Sequence, residues 1–159
     1  MKRWIPFIKS TPFVAVIRLQ GQIASGARAL NDATLAPVIE KAFSKGVPAA
    51  IALEINSPGG SAVQSSLIAA RIRRLAEEKG IPVIAFVEDV AASGGYWLAT
   101  AADEIFVDRG SIVGSIGVIS AGFGLTGAIE KVGVERRVHT AGKSKSMMDP
   151  FKPEKPADI

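Results

Sequence analysis

The chain has 159 residues, among them no cysteine and a single histidine, and its formal net charge is +4. A length of about 150 residues fits one domain with a substantial core. Zero cysteine excludes disulfide frameworks, thiolate metal sites and a cysteine nucleophile, and one histidine excludes a multi-histidine metal site within one chain. The mild charge, without a basic stripe interleaved with aromatic residues, argues against nucleic-acid binding.

Residues 1–11 are predicted to be a basic and apolar N-terminal extension. Its apolar runs and those that follow are broken at Pro6, Lys9, Pro12 and Arg18, far short of the roughly 20 apolar residues that a membrane span needs. No signal peptide is predicted, because no uninterrupted apolar run precedes a small-residue cleavage site. A basic, aromatic start would suit contact with an anionic membrane surface, but an extension leading into a strand is the simpler interpretation.

Strands and helices are predicted to alternate from residue 12 onward. A valine- and isoleucine-rich strand at 13–19 is followed by a helix that Asn31 or Asp32 caps and that ends near Gly46. A nearly continuous apolar run at 49–55 predicts a strand buried on both faces of a sheet. These first elements already have the order typical of an α/β protein.

The middle of the chain repeats this order. Ser61 is predicted to cap a second helix that ends at Gly80, and a further buried strand is predicted at 82–87. A third helix is predicted from Ser93 to about residue 102. This alternation of strands and helices points to a largely parallel sheet.

The last elements are shorter. Apolar segments at 104–107 and 115–119, a helix near 125–132 and a strand near 134–139 complete the series, and residues 152–159 are predicted to be a proline- and charge-rich tail. We expect a single domain over 12–151 with a largely parallel sheet flanked by helices.

Two glycine-rich turns are the best candidates for chemistry: Asn56-Ser57-Pro58-Gly59-Gly60-Ser61 and Ala91-Ala92-Ser93-Gly94-Gly95-Tyr96. Both follow predicted strands, and ligands of parallel α/β sheets bind at the carboxyl ends of strands. Glycine lets backbone N–H groups approach a bound atom, and a helix start leaves such groups unpaired. Together these features can form an oxyanion hole.

Ser93 either caps its helix or acts as a nucleophile, and a nucleophilic serine needs a base. His139 is a poor base because it follows two arginines, which oppose a protonated imidazole ring. A lysine can serve if burial or nearby cations lower its pKa by several units from about 10.4. Spacing alone does not choose between Lys143 and Lys145.

The chain carries four motifs in a fixed order: INSPGGS, AASGGYWLATAADEIF, VGSIGVI and AGKSKSMMDPF. In this order they resemble the signal peptide peptidase A (protease IV) family of serine peptidases, over residues 13–151. The resemblance implies the Clp protease/crotonase fold, a spiral of repeated β-β-α units. It also implies a serine endopeptidase with a Ser/Lys dyad that needs no cofactor or metal, cleaves extended apolar peptides such as signal-peptide remnants, and forms a homo-oligomer.

Matched motif by motif, the resemblance assigns five roles. Ser93 would be the nucleophile and Lys145 the general base. Gly60 and Gly94 would donate the oxyanion-hole amides, and Ser115 would orient the lysine.

Members of this family commonly have an N-terminal membrane helix, the larger ones have a second copy of the fold, and a further helix usually follows the last motif; we expect none of these three features in the printed sequence. We therefore expect either a soluble protein or one associated with the cytoplasmic membrane. Two alternatives stay open. A crotonase-like acyl-CoA enzyme would use the same turns for a thioester enolate, with Glu88 and Asp89 as its carboxylates. A catalytically silent scaffold of the same fold would only bind peptides.

Overall fold

The computed structural model describes residues 11–142 and 144–156 of the chain. Within them, strands and helices alternate along the first two-thirds of the sequence, as predicted. The elements in chain order are β1 (Val14–Gln20), α1 (Asp32–Ser44), β2 (Ala50–Ser57), α2 (Ala62–Lys79), β3 (Val83–Ala92), α3 (Gly94–Ala99), β4 (Glu104–Val107), β5 (Ile112–Gly114) and α4 (Thr126–Lys131). The predicted extension at 1–11 falls almost wholly outside the described residues, and 152–156 of the predicted tail contain no α-helix or strand.

The chain divides into two compact units. The first ends at Gly117 and contains the five strands with α1, α2 and α3, whereas the second begins at Val118 and contains α4. The single domain expected over 12–151 extends across both units and stays a prediction.

The first unit is built on one parallel sheet. Its strand order is β1-β2-β3-β4, and β5 pairs with the far end of β3. Each of these pairings is parallel. The predicted α/β class with a largely parallel sheet is therefore confirmed.

Capping side chains define the starts of the two long helices. Asn31 Oδ1 accepts a hydrogen bond of 2.9 Å from the Thr34 N–H at the start of α1. Ser61 Oγ accepts one of 3.3 Å from the Gln64 N–H at the start of α2. Helix α2 ends at Gly80, whose φ of 62° lies in the left-handed region that glycine tolerates best. The predicted ends of α2 are thus confirmed, and Asn31 is the cap of α1.

The core lies between one face of the sheet and the helices. Buried side chains alternate along β2, where Ile51, Leu53 and Ile55 are fully buried while Ala52 and Glu54 between them are half-buried. The prediction that this strand is buried on both faces is therefore wrong. The small alanine residues made its sequence look continuously apolar, although only every second side chain enters the core.

The structure differs from the prediction in three further segments, at the end of β3, at 115–119 and at 134–139. Strand β3 continues past the predicted end at Val87 to Ala92, because its last residues pair with β5 even though Glu88 and Asp89 interrupt the apolar run. Of the two predicted apolar segments, 104–107 is strand β4, whereas 115–119 is not a strand and begins at Ser115, whose φ of 54° follows the end of β5. Residues 134–139, also predicted as a strand, are exposed and have no regular secondary structure.

Among the described residues, no helix combines the length and the hydropathy that crossing a bilayer requires.

Candidate active site

Ser93 occupies a strained position between β3 and α3. Its φ of 51° and ψ of −118° lie outside the regions that a serine normally adopts. Strain of this kind costs about 1–3 kcal/mol and persists only where the surroundings enforce it. Here the Ser93 N–H donates to the Gly114 carbonyl at 2.7 Å, and the Trp97 N–H donates to the Ser93 carbonyl at 3.0 Å.

The Ser93 side chain does not cap the helix that follows it. The residue is half-buried, and its hydroxyl makes no capping hydrogen bond at the start of α3. The simple capping interpretation therefore does not explain why a serine stands here. A strained residue with an uncommitted hydroxyl at a strand-to-helix turn is a typical setting for a nucleophile.

The two glycine-rich turns lie directly against each other. A Cβ atom added to Gly59 would be 2.5 Å from the Ala92 carbonyl oxygen and 2.7 Å from the Gly94 nitrogen. A Cβ atom on Gly94 would be 3.4 Å from the Gly60 nitrogen. Since real Cβ atoms do not come within 2.5 or 2.7 Å of other atoms, position 59 must be glycine for the turns to meet.

This contact places two backbone amides side by side. The Gly60 N–H donates to no acceptor among the described residues. The Gly94 N–H belongs to the first residue of α3 and therefore has no acceptor within the helix. Two unpaired donors next to Ser93 can hold a developing oxyanion.

A third loop, absent from the sequence prediction, supports the first turn. The Ile23 N–H donates to the Gly59 carbonyl at 2.8 Å, and the Ser61 N–H donates to the Ile23 carbonyl at 2.8 Å. The buried Ser57 hydroxyl donates to the Gly21 carbonyl at 2.6 Å. No spacing rule connects residues this far apart; the only sequence signal is that Gly21 lies two residues after the strand predicted at 13–19.

Strand β5 brings Ser115 to the same end of the sheet. Gly114 pairs with Ala92, so the residues that follow each of them, Ser115 and Ser93, leave the sheet next to one another. Ser115 is exposed. The first unit thus brings together Ser93, Gly94, Gly60 and Ser115, four of the five predicted site residues.

Lys145 belongs to the second unit, where it lies in a turn-rich segment and is exposed. Lys143 falls outside the described residues. His139 is exposed in the same unit. Within the second unit a cavity of about 560 Å³ is lined by Phe123, Met147 and Met148 together with polar residues of the same segment.

The carboxylates that a crotonase-like reaction would need are already engaged. Glu88 accepts a hydrogen bond of 3.2 Å from Arg18, and Asp89 accepts one of 2.8 Å from Asn56. In the part of the chain that the structure describes, no group of three or more metal-ligating His, Asp or Glu side chains comes together.

Comparison with known proteins identifies the family. Peptidase family S49 matches residues 75–158, more than half of the chain. The chloroplastic serine protease SPPA of Arabidopsis thaliana is 39% identical over 153 residues, which are 89% of this chain and 22% of that protein. Protease 4 of Haemophilus influenzae is 37% identical over 124 residues, or 76% of this chain and 20% of that protein.

A Brucella melitensis protein named Na(+)/H(+) antiporter NhaA is 52% identical over 165 residues, which cover 100% of this chain and 22% of that protein. The chain thus spans about a fifth of the length of these curated relatives.

Two solved structures share the fold. A serine-to-alanine mutant of the 1510-N membrane-bound stomatin-specific protease has a TM-score of 0.58 and 27% identity, over 72% of this chain and 52% of that one. A lysine-to-alanine mutant of the same protease, in complex with a substrate peptide, has a TM-score of 0.57 and 28% identity, over 72% and 49%. The predicted Clp protease-like fold is confirmed.

Proposed function

This chain belongs to peptidase family S49, and on that basis we propose that it is the catalytic part of a serine endopeptidase in which Ser93 and Lys145 form the dyad. The observation that carries the proposal is the junction around Ser93. A strained serine whose hydroxyl makes no capping hydrogen bond lies beside the unpaired amides of Gly60 and Gly94. This combination serves acyl transfer, which needs a nucleophile and an oxyanion hole at one point.

In the proposed reaction, the neutral amine of Lys145 takes the hydroxyl proton of Ser93 while the Ser93 oxygen attacks the scissile carbonyl carbon. The carbonyl electrons move to its oxygen, and the amides of Gly60 and Gly94 stabilise the oxyanion by about 3 kcal/mol each. Collapse of the tetrahedral intermediate breaks the C–N bond, and the leaving amine takes the proton from the lysine. Water, deprotonated by the same lysine, then hydrolyses the acyl-enzyme. In this scheme the Ser115 hydroxyl orients the lysine.

The exposure of Lys145 adds a condition to this mechanism. A lysine acts as a base only in its neutral form, and hydrated lysines are protonated at neutral pH. The desolvation therefore has to come from what covers Lys145 during the reaction. An apolar peptide substrate and a second copy of the chain would both supply it, which supports the proposals of apolar substrates and of a homo-oligomer.

The solved relatives support the same chemistry. They are a serine-to-alanine and a lysine-to-alanine mutant of one protease, the second bound to a substrate peptide. That protease is described as membrane-bound, which supports membrane association here together with the basic and apolar residues 1–11. The name of the Brucella relative is not transferred, because the family match lies within this chain itself whereas the name describes a protein of which the chain matches 22%.

Peptide hydrolysis by the purified chain tests the proposal. We expect Ser93→Ala and Lys145→Ala each to lower kcat/KM by about ten-thousand-fold, because removing one member of a catalytic unit costs about as much activity as removing all of them. Lys143→Ala, a change of the neighbouring lysine in the same motif, is the matched control and should retain activity. Hydrolysis that survives either dyad substitution would refute the proposed mechanism.

A further inference from the structure

The second unit contains an ion pair whose carboxylate is almost completely buried. The side chain of Asp149 is 5% exposed, and its Oδ2 accepts a hydrogen bond from Nη1 of Arg136. Its other oxygen, Oδ1, accepts one of 3.1 Å from the Phe151 N–H. The Arg136 guanidinium also lies over the Phe151 ring, 4.9 Å from the ring centroid. We call these three residues the Arg136 clamp.

The contacts of the clamp reinforce one another. The hydrogen bond from Arg136 holds the pKa of Asp149 below its ordinary value and thereby favours the carboxylate form. Removing the cation would leave a nearly buried carboxylate without its partner, which is strongly unfavourable. The ring face adds a cation–π contact to the same guanidinium.

The clamp fixes the chain directly after Lys145. Asp149 follows Lys145 by four residues, and the carbonyl of the next residue, Pro150, accepts a hydrogen bond of 2.6 Å from the Leu125 N–H at the start of α4. Lys145 itself makes no hydrogen bond or ion pair with the described residues. The position of its backbone therefore depends on contacts farther along this segment.

We infer that Arg136 is a positioning residue for the proposed base: through Asp149 and Phe151 it holds the segment that carries Lys145. This inference rests on the proposed function. Arg136 touches neither the substrate nor the reacting atoms in this scheme, and it acts only through the place it gives to the lysine. A displacement of about 1 Å in a catalytic group is enough to cost a large factor in rate.

The neighbouring arginine provides a matched control. Arg137 pairs with Glu135 only two residues away, and the two side chains are 75% and 71% exposed. Such a surface pair contributes little to stability. Arg137→Gln therefore removes the same charge from the same segment without touching the clamp.

Steady-state peptide hydrolysis by the whole chain tests the inference. We expect Arg136→Gln to lower kcat about tenfold or more with KM within about twofold, measured well below its own reduced unfolding midpoint, because the base is misplaced while the substrate still binds. Arg136→Lys should recover part of kcat, and Arg137→Gln should match the unsubstituted protein. If Arg136→Gln does not fold, Phe151→Leu replaces it in the test. This variant keeps the backbone donor of residue 151 but removes the ring, and it should lower kcat by a smaller factor.

The outcomes separate the two proposals. Normal hydrolysis by the unsubstituted protein, with Arg136→Gln and Phe151→Leu both indistinguishable from Arg137→Gln, would overturn the positioning role alone. A raised KM at unchanged kcat in Arg136→Gln would also overturn it, since that result indicates a substrate contact. Absence of hydrolysis by the unsubstituted protein would overturn the proposed function and this inference with it.

Discussion

Gly94 packs so tightly that no side chain fits in its place. An added Cβ atom would lie 2.3 Å from Ser65 Oγ, 3.2 Å from Ile23 Cδ1 and 3.4 Å from the Gly60 nitrogen. Ser65 is fully buried, and its hydroxyl donates to the Ser61 carbonyl at 2.9 Å, so it is not free to turn away. An alanine at position 94 would therefore collide first with Ser65 of helix α2, so the packing of α3 against α2 depends on the missing methyl group.

Gly94→Ala should push the start of helix α3 away from Ser65 of helix α2. We expect the free energy of unfolding, measured in urea, to fall by about 1–3 kcal/mol, as overpacking of a tight contact does. The rate of peptide hydrolysis should fall as well, because the substitution would move the Gly94 amide, one of the two proposed oxyanion donors. Gly26→Ala is the control, since Gly26 is exposed and an added Cβ there meets nothing within 4 Å.

The clash with Ser65 can be isolated by a double substitution. Ser65→Ala removes the oxygen that the new methyl group would meet first. The stability cost of Gly94→Ala should therefore be smaller in the Ser65→Ala background than in the unsubstituted protein. An equal cost in both backgrounds would show that the Ser65 hydroxyl is not what opposes a methyl group at position 94.

At the scale of elements, one carboxylate joins helix α2 to the start of strand β3. Asp103 Oδ2 accepts a hydrogen bond of 2.8 Å from the Val83 N–H, and Oδ1 accepts one of 2.8 Å from Arg73. The bond from the Val83 backbone, followed by that from Arg73, holds the pKa of Asp103 below its ordinary value. The carboxylate form is thus favoured by folding.

A lowered pKa in the folded state makes this contribution depend on pH in a known direction. The stabilisation is fully present above the unfolded pKa of about 3.9 and is lost as the pH falls through the lower folded value. Asp103→Asn should lower the unfolding midpoint at pH 7 by only about 2–4 °C, because nearly half of the side chain is exposed and screened by water. The difference from the unsubstituted protein should shrink as the pH falls below 4.

Asp108→Asn serves as the control for this measurement, because Asp108 bonds only to nearby backbone and makes no ion pair with the described residues. The unfolding midpoint of Asp108→Asn should be close to that of the unsubstituted protein at both pH 7 and pH 3. If the Asp103→Asn difference were the same at pH 7 as at pH 3, the charge of Asp103 would not contribute to stability.

Elements with a strong local signal were predictable, and those that depend on a distant partner were not. Capping side chains and a terminal glycine mark α2 in the sequence itself. Strand β5 has three residues, so nothing but its pairing with β3 makes it a strand. The run at 134–139 contains Val134 and Val138, yet no strand among the described residues pairs with it, and its β propensity alone does not produce one.

The same distinction holds for the site. The two glycine-rich turns could be predicted because glycine, serine and their place after a strand have a direct physical meaning. Ile23 and Ser65 could not, because their importance comes from contacts with residues about 30 or more positions away. Ordinary residue types carry no sign of such contacts.

At the scale of the whole molecule, the proposed dyad takes one residue from each compact unit. Ser93 lies in the first unit with the proposed oxyanion donors Gly60 and Gly94, and Lys145 lies in the second unit with the Arg136 clamp. A serine that reacts only when the lysine is present would link the two units in one function. Reactivity of Ser93 is therefore more informative than the stability of either unit.

The most direct measurement is the covalent reaction of the whole chain with a serine-reactive phosphonate, followed by mass spectrometry of the digested protein. We predict a single adduct on the peptide that contains Ser93, absent from Ser93→Ala, strongly reduced in Lys145→Ala and unchanged in Lys143→Ala. No adduct at Ser93, together with tight binding of an acyl-CoA thioester, would support a crotonase-like enzyme instead. Labelling of Ser93 at an equal rate in Lys145→Ala would contradict the dyad.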